Sequence, residues 1–239
     1  MSFLTAEWRK LVLANYEVDP ETLRSSVPAG TELDLWDGSC LVSLVGFMFL
    51  NTRLMGIPIP FHTRFEEINL RFYVRYRDGG KWKRGVVFIR EIVSKPALTF
   101  VANRVYGERY VTMPTRHNWS ETAVNQEIEY SWNCRGEWQK LSVNAKNHSR
   151  PILAGTEEEF IAEHYWGYTQ ARPDTTFEYE VVHPRWETYP VDSFDIRVDF
   201  EKVYGKAFAA LHRSSPVSVM LAEGSQIAVE KKRKLPIGF

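Results

Sequence analysis

The chain has 239 residues, enough for one large β-rich domain, and its 44% hydrophobic content is typical of a globular protein. Lys and Arg together number 30 and so do Asp and Glu, and this balance argues against a nucleic-acid-binding protein, which normally carries a basic excess. The sequence has no CxxC pair, no Cys/His metal spacing, no phosphate loop and no dinucleotide fingerprint, so we expect no metal and no cofactor.

The first third of the chain is predicted to contain two helices, a hairpin and a loop. Apolar residues at helical spacing predict a helix over residues 5–15, and Pro20 fits the first turn of a second, short helix. Asp37 and Gly38 separate two apolar segments, which predicts a hairpin with a tight turn. The two prolines within residues 53–60 indicate a loop.

The clearest strand covers residues 65–77, where polar and apolar side chains alternate. Such alternation places successive side chains on opposite faces. One face carries Ile68, Leu70, Phe72, Val74 and Tyr76, and the other carries Glu67, Asn69, Arg71, Tyr73, Arg75 and Arg77. A glycine-rich turn at residues 78–80 leads into a returning strand over 83–93. A helix is predicted for residues 96–106, with Gly107 as its C-terminal cap.

The second half of the chain is predicted to consist mainly of hairpins. Residues 126–132 and 138–145 form one, and residues 217–222 and 226–230 form the last. Thr156 opens a helix through a capping box, and His164 and Tyr165 lie on one side of that helix as packing residues. Two further strands are predicted over residues 177–183 and 194–200.

About nine strands and three or four helices follow from these patterns. Short turns between strands imply antiparallel pairing, and helices that fall between hairpins argue against a doubly wound parallel sheet. We therefore predict a single α+β domain over residues 1–239, mostly antiparallel β, forming a closed or nearly closed β-barrel with a few peripheral helices. The N-terminus lacks an apolar signal-peptide core and the longest apolar run, 40–50, is half a membrane span, so we expect a cytoplasmic protein that makes no membrane contact.

Several segments, in order along nearly the whole chain, resemble a known family. They are residues 13–20 (LANYEVDP), Asp37-Gly38 with the apolar strand that follows, and residues 65–71 (FEEINLR), 73–75 (YVR), 162–168 (AEHYWGY) and 182–186 (VHPRW). This set resembles the YqjF-type family, an uncharacterised branch of the acetoacetate-decarboxylase-like superfamily. The resemblance implies a barrel-like fold around an internal cavity, and by superfamily analogy it leaves a homo-oligomer open.

The resemblance also bears on chemistry. In the decarboxylase, a buried lysine forms a Schiff base with the keto acid, and a neighbouring cation and a dry pocket activate its amine. In this chain Tyr110 stands where that lysine would be, and Val111 stands where its activating partner would be. A phenol cannot form an imine, and no lysine occurs between Lys95 and Lys140. We therefore predict that decarboxylation through a Schiff base is absent.

The candidate ligand-binding residues come from three places in the sequence. If the polar face of the 65–77 strand lines a cavity, Arg71 or Arg75 would bind the carboxylate of a ligand. Glu67, which the resemblance matches to a carboxylate in the decarboxylase cavity, would act as a base or a hydrogen-bond acceptor. The alternative is a solvent-facing strand. Arg104 and Tyr110 flank the former lysine position and point inward, or else form a surface pair at a helix end. His183 lies in phase with an apolar strand face, where a packed core histidine is the alternative. The candidates are Glu67, Arg71, Tyr73, Arg75, Arg104, Tyr110 and His183.

Three functions remain open from the sequence. The first is a binding module that holds a small, anionic or carbonyl-containing ligand without covalent chemistry. The second is an enzyme that acts on a small carboxylate or carbonyl compound by acid–base catalysis, with Glu67 and Arg71 in its site. The third is a structural or interaction protein whose barrel is filled by side chains.

Overall fold

The computed structural model of the chain describes residues 2–105 and 107–236. Its strands are β1 (Leu4–Glu17), β2 (Glu32–Leu33), β3 (Leu41–Leu54), β4 (Ile57–Pro58), β5 (Phe65–Asp78), β6 (Lys81–Val93), β7 (Tyr110–Thr112), β8 (Thr115–Glu121), β9 (Asn125–Cys134), β10 (Glu137–Lys146), β11 (Arg150–Pro151), β12 (Trp166–Arg172), β13 (Thr175–Val182), β14 (Glu187–Tyr189), β15 (Val191–Arg197), β16 (Ser218–Val229) and β17 (Arg233–Lys234). The helices are α1 (Pro96–Val105), α2 (Glu157–Ala162) and α3 (Phe200–Tyr204), with 3₁₀ segments at Pro20–Thr22, Arg24–Ser26 and Lys206–Arg213. None of the helices in these two stretches combines the length and the apolar composition that crossing a bilayer requires.

Seven strands pair into a ring in the order β1, β3, β5, β6, β12, β13 and β16, and β16 returns to β1. The pairs are antiparallel except for β6 with β12, a short parallel contact at Gly85 and Val86. This arrangement confirms the predicted fold, a mostly antiparallel, nearly closed barrel with a few peripheral helices. Each strand of the ring pairs on both sides, although the contacts of β6 with β12 and of β13 with β16 each join only two residue pairs.

A second sheet, in the order β15, β10, β9 and β8, packs against one side of the ring. The contact is a continuous apolar core in which Ile68, Leu70 and Phe72 of β5 meet Ile128 and Trp132 of β9. The opposite face of β5 belongs to a separate buried cluster inside the ring. The two faces of this one strand therefore serve two different environments.

Several predicted elements are confirmed. The alternating segment forms β5, the glycine turn connects it to β6, and Asn133 and Gly136 close the hairpin between β9 and β10. The helix before Gly107 is present as α1, although the predicted last residue, Tyr106, lies outside the described residues. Thr156 caps α2 by accepting a hydrogen bond from the Glu159 backbone N–H at 3.3 Å.

The predicted helix over residues 5–15 is wrong, because this segment is strand β1. Its second half, from Leu11 to Tyr16, is buried on both faces. Leu11 and Leu13 belong to the cluster inside the ring, and Val12, Ala14 and Tyr16 belong to the core against the second sheet. A strand buried on both faces shows no alternation of polar and apolar residues, so the apolar residues fell by chance at helical spacing. The segment therefore contributes one wall of the ring.

The predicted last hairpin is also wrong, because β16 runs straight through residues 223–225. Gly224 lies opposite a bulge in β1, has a φ of 78°, and passes so close to β1 that a Cβ there would be 2.1 Å from the Trp8 carbonyl oxygen. Glycine at this position permits a close strand approach and does not form a turn. In the sequence, a glycine within an apolar segment looks the same whether it permits a close strand approach or forms a turn.

Other elements differ from prediction in extent or partner. Helix α2 ends at Ala162, before His164, and the following segment is strand β12. The tight turn at Asp37 and Gly38 exists, but it closes only one bridge, between Trp36 and Ser39, and β2 pairs with β5. The predicted loop over residues 53–60 contains the end of β3 and its small partner strand β4.

Candidate functional site

The ring encloses a cavity of about 340 Å³. Aromatic rings from several strands form much of its wall, namely Trp8, Phe47, Phe49, Phe65, Phe88 and Trp186. Trp8 packs edge-on against Phe47 with ring centres 5.2 Å apart, and Phe49 stacks on Phe65 at 4.7 Å. A mainly apolar cavity of this size, with a few polar groups, is typical of a site for a small organic molecule.

The inner face of β5 supplies a row of polar side chains to this cavity. Glu67, Asn69 and Arg71 are all buried, and all line it. Their neighbours Ile68 and Leu70 point outward to the second sheet. The alternation read from the sequence thus separates an apolar face from a polar face, and the polar face lies inside the ring and away from solvent.

Glu67 is held by two donors. The Tyr110 hydroxyl donates to Glu67 Oε2 at 2.8 Å, and Asn69 Nδ2 donates to Oε1 at 3.0 Å. The Asn103 side chain fixes Tyr110 in turn, by bonds of 2.8 and 2.9 Å to its backbone N–H and carbonyl. Burial raises the pKa of Glu67 to about 7, although both donors oppose the shift. This carboxyl therefore exchanges its proton near neutral pH.

Two more glutamates lie in the cavity wall. Glu91 sits on β6 opposite Asn69, and Glu108 follows α1 and accepts a hydrogen bond from Thr169 Oγ1 at 2.8 Å. Burial raises the pKa of both carboxyls, and their mutual repulsion adds to the rise for Glu91. Burial also raises the pKa of Tyr110 far above its usual value, so its phenol stays protonated.

Sequence reasoning missed Glu91 because a β-bulge shifts the phase of β6. Pairing with β5 jumps from Leu70–Arg90 to Arg71–Phe88 and leaves one residue of β6 unpaired. Before the bulge, even-numbered side chains such as Phe88 line the cavity. After the bulge, the odd-numbered Glu91 lines it. Simple alternation along β6 assigns Phe88 and Glu91 to opposite faces.

Arg71 is a buried cation with few partners. Its side chain belongs to a residue only 8% exposed, and Nη2 donates to the Ile161 carbonyl at 3.3 Å. Its Nε has no hydrogen-bond partner, and no acidic side chain among the described residues forms an ion pair with it. The guanidinium lies 5.7 Å from the centre of the Tyr73 ring. Most of its donor capacity is therefore available to the cavity.

Unpartnered buried polar atoms are concentrated on cavity-lining residues. Those on the cavity wall are Trp8 Nε1, Thr52 Oγ1, Asn69 Oδ1, Arg71 Nε, Glu91 Oε2 and His164 Nδ1, and the others among the described residues, such as Trp132 Nε1 and Tyr204 Oη, lie outside it. A buried polar group without a partner costs free energy, so native proteins rarely leave one unpaired without a reason. Their concentration in one place marks the cavity as the candidate site.

Comparison with known proteins agrees with this fold and this cavity. Residues 5–226 match the model of the DUF2071 family, described as an uncharacterized conserved protein. The chain belongs to the DUF2071 family. It is 39% identical, over 186 residues, to the uncharacterized protein YqjF of Bacillus subtilis strain 168, an alignment that covers 74% of this chain and 70% of YqjF.

Two solved structures have the same fold as this DUF2071 protein. Acetoacetate decarboxylase from Legionella pneumophila superposes with a TM-score of 0.63 at 13% identity, over 97% of this chain and 86% of the decarboxylase. The enduracididine biosynthesis enzyme MppR, complexed with pyruvate, superposes with a TM-score of 0.66 at 13% identity, over 98% of this chain and 91% of MppR. The chain thus resembles YqjF in sequence and has the fold of acetoacetate decarboxylase.

The DUF2071 chain brings four of the seven predicted site residues to the cavity. Glu67, Arg71, Tyr110 and His183 line it, and His183 stacks on Trp186 with ring centres 4.3 Å apart. Burial lowers the pKa of His183, so this imidazole is neutral at physiological pH.

The other three predicted residues lie elsewhere. Tyr73 is buried behind the wall, with its hydroxyl 2.5 Å from Ser43 Oγ. Arg75 does not turn into the cavity, because β2 pairs with this part of β5 and Glu32 takes the guanidinium at 2.6 Å. Arg104 does not point inward either; it is exposed in the last turn of α1. We therefore leave Tyr73, Arg75 and Arg104 out of the site.

Proposed function

We propose that this protein binds a small anionic or carbonyl-containing compound in the ring cavity, without Schiff-base chemistry. The observation that carries the proposal is the buried Arg71 guanidinium, which faces an apolar cavity and has no acidic partner among the described residues. An isolated buried charge costs several kcal/mol, and an oppositely charged ligand that desolvates with it recovers much of that cost. Guanidinium groups bind carboxylates through paired N–H bonds.

The neighbouring carboxyls support an anionic ligand over a cationic one. Burial raises the pKa of Glu67, Glu91 and Glu108, so their protonated forms are favoured relative to ordinary glutamates. The positive charge of Arg71 is then not fully balanced by the protein. A ligand carboxylate would supply the missing negative charge, and the aromatic wall would pack against an apolar body.

A protein with the same fold binds a ligand of the proposed class. MppR, which shares the fold, was solved with pyruvate, a small keto acid. No lysine lines the cavity in the described part of the chain, and Tyr110 occupies the position that the family resemblance assigns to the Schiff-base lysine. Binding here would therefore be non-covalent.

Titration calorimetry with a panel of small carboxylates and their neutral amides tests the proposal. The wild-type protein is expected to bind one or more carboxylates but not the matching amides. In Arg71→Met, affinity should fall by about 30-fold or more, the usual effect of removing one member of a buried charge pair. Arg75→Met is the matched control, because Arg75 lies on the same strand outside the cavity, and it should bind as wild type does. Equal binding by Arg71→Met and wild type would reject the proposal.

Glu67 gives a second candidate function, acid–base catalysis on a carboxylate or carbonyl compound. Its pKa of about 7 and its hydrogen bond from Tyr110 are what a general acid or base at neutral pH requires. Glu67→Gln should then retain ligand binding and lose turnover. Borohydride trapping with keto acids tests the absence of an imine, since a covalent adduct on any lysine would contradict it. The cavity also tells against a filled barrel as a purely structural element.

A further inference from the structure

His164 is a cavity residue whose position is tightly fixed. It lies between the end of α2 and the start of β12, and its side chain is 1% exposed. Its ring packs against Tyr73 at 4.7 Å and edge-on against Phe160 at 4.9 Å between ring centres. The helix pattern in the sequence suggested only a packing role. In the structure the ring also lines the cavity.

Asp34 determines which nitrogen of this ring carries the proton. Asp34 Oδ2 lies 3.1 Å from His164 Nε2 and also accepts a hydrogen bond from Arg84 Nε at 2.6 Å. A carboxylate paired with a guanidinium is ionised and can only accept, so Nε2 must be the donor. Burial lowers the pKa of His164 to about 4, which leaves one ring proton at neutral pH. That proton is on Nε2, and Nδ1 therefore presents a lone pair.

His164 Nδ1 has no hydrogen-bond partner among the described residues. Both His164 and Arg71 line the same cavity, and both lie beside the Tyr73 ring, whose centre is 4.7 Å from the centre of the His164 ring and 5.7 Å from the Arg71 guanidinium. Resting on the function proposed above, we infer that His164 and Arg71 form a two-point site for a carboxylic acid with a hydrogen-bond donor, such as a hydroxyl, near its carboxylate. Arg71 binds the carboxylate and His164 Nδ1 accepts from the hydroxyl.

This arrangement selects against two close analogues of a hydroxy acid. A keto oxygen in place of the hydroxyl would direct its lone pairs at the lone pair of His164 Nδ1, and both acceptors would stay unpaired. A methylene in that place would leave Nδ1 buried without a donor. Each case costs about a tenfold to a hundredfold loss of affinity by the usual penalty for an unmet buried polar group. The site therefore distinguishes a hydroxy acid from the keto acid of the same skeleton.

Calorimetry with matched triplets of acids tests the inference. One triplet is 3-phenyllactate, phenylpyruvate and 3-phenylpropanoate, and the other carries an isobutyl group in place of the benzyl group. The wild-type protein should bind the hydroxy acid of one triplet at least tenfold more tightly than its two analogues. His164→Phe should bind all three about equally, because it keeps an aromatic ring but has no acceptor. In Arg71→Met all three should weaken together.

The outcomes separate this inference from the proposed function. If the three acids bind equally to the wild type and depend on Arg71, the inference is overturned and the proposed function stands. If none of them binds while another carboxylate of the panel binds through Arg71, the inference is likewise overturned and the proposed function stands. A preference that survives in His164→Phe also overturns the inference, since another group would then read the hydroxyl.

A second measurement addresses the ring directly and does not depend on any ligand. Nitrogen chemical shifts of His164 in the histidine-labelled protein should show a protonated Nε2 and a bare Nδ1 at pH 7. In Asp34→Asn the amide can donate to Nε2, so the proton should move to Nδ1. Arg84→Met is the control, because it removes the guanidinium that donates to Asp34 Oδ2 and keeps the carboxylate beside His164. A protonated Nδ1 in the wild-type protein would overturn the inference.

Discussion

The two faces of strand β5 are both buried but lie in different surroundings. Outward, Ile68, Leu70 and Phe72 are fully buried in a continuous apolar core against the second sheet. Inward, Asn69 and Arg71 are nearly as buried, yet they border a cavity and leave polar atoms unpartnered. Burial alone therefore does not distinguish the side chains that stabilise the fold from those that serve the candidate site.

The contrast follows from what each face contacts. The outward face meets complementary side chains of β9, and close packing there contributes free energy of folding. The inward face buries charge and ionisable groups, which costs free energy unless a ligand or a proton compensates. Five substitutions on or beside these two faces test whether this division holds.

Truncation of the outward face should have the largest effect. Phe72→Ala removes a ring that is fully buried between the sheets, and we expect a loss of about 3–5 kcal/mol in the free energy of unfolding. Arg71→Met, one residue away, should be neutral or stabilising without ligand, because it replaces a poorly paired buried charge by an apolar side chain of similar length. Urea denaturation of both variants measures the difference. A loss in Arg71→Met as large as in Phe72→Ala would break the comparison.

The pH dependence of stability should come from the inward face. The pKa of Glu67 is about 7 in the folded state and 4.5 for an ordinary glutamate, so the folded state holds this proton more tightly. The resulting stabilisation is complete below pH 4.5 and is lost as the pH rises through 7. The free energy of unfolding should therefore fall by about 2.5 kcal/mol between pH 5 and pH 8 because Glu67 ionises.

Glu67→Gln is the variant that isolates this contribution. It cannot ionise, so its stability should decline less between pH 5 and pH 8 than that of the wild type, as measured by urea denaturation at each pH. Glu91 and Glu108 have pKa values shifted in the same direction and should retain part of the slope. Identical slopes for the variant and the wild type would show that Glu67 is ionised in the folded protein.

The sequence predicted the outward face more completely than the inward one. Alternation along residues 65–77 and the turns that follow were sufficient to place β5, β6 and the β9–β10 hairpin. Prediction from the sequence failed for β1, where burial on both faces removes the alternation of polar and apolar residues. It also failed at Gly224, where a glycine that permits a close strand approach was taken for a turn residue.

The candidate site was predicted only in part, because alternation along one strand identifies some of its residues and not others. Glu67 and Arg71 follow from alternation on a single strand. Glu91 does not, because a bulge changes the phase of β6. The pairing of His164 with Asp34 joins residues 130 positions apart, and no local pattern contains it. Contacts of this kind depend on how the ring closes.

A smaller effect should follow from loss of the Tyr110 hydroxyl. Its hydrogen bond to Glu67 stabilises the ionised carboxylate and so lowers the pKa of that group. Tyr110→Phe should therefore raise the pKa of Glu67 further, by roughly one unit for a charge-assisted hydrogen bond of about 1.5 kcal/mol. A carbon-13 titration of the glutamate carboxyls, assigned by comparison with Glu67→Gln, measures the shift. An unchanged or lower pKa would mean that the Tyr110 hydroxyl does not donate to Glu67.

The smallest effect should come from Arg75, which shares the strand with Arg71 but not its surroundings. Arg75 pairs with Glu32 at 2.6 Å and lies 4.3 Å from the centre of the Trp82 ring, in contact with solvent. An exposed ion pair of this kind contributes about 0.2–1 kcal/mol, and salt screens it. Arg75→Met should therefore cost no more than that in urea denaturation, with a smaller difference at 1 M salt. One result would contradict this expectation: if Arg75→Met weakened ligand binding as much as Arg71→Met does, Arg75 would belong to the cavity. Two arginines four residues apart would then act on the same ligand, and the cavity would extend beyond Tyr73.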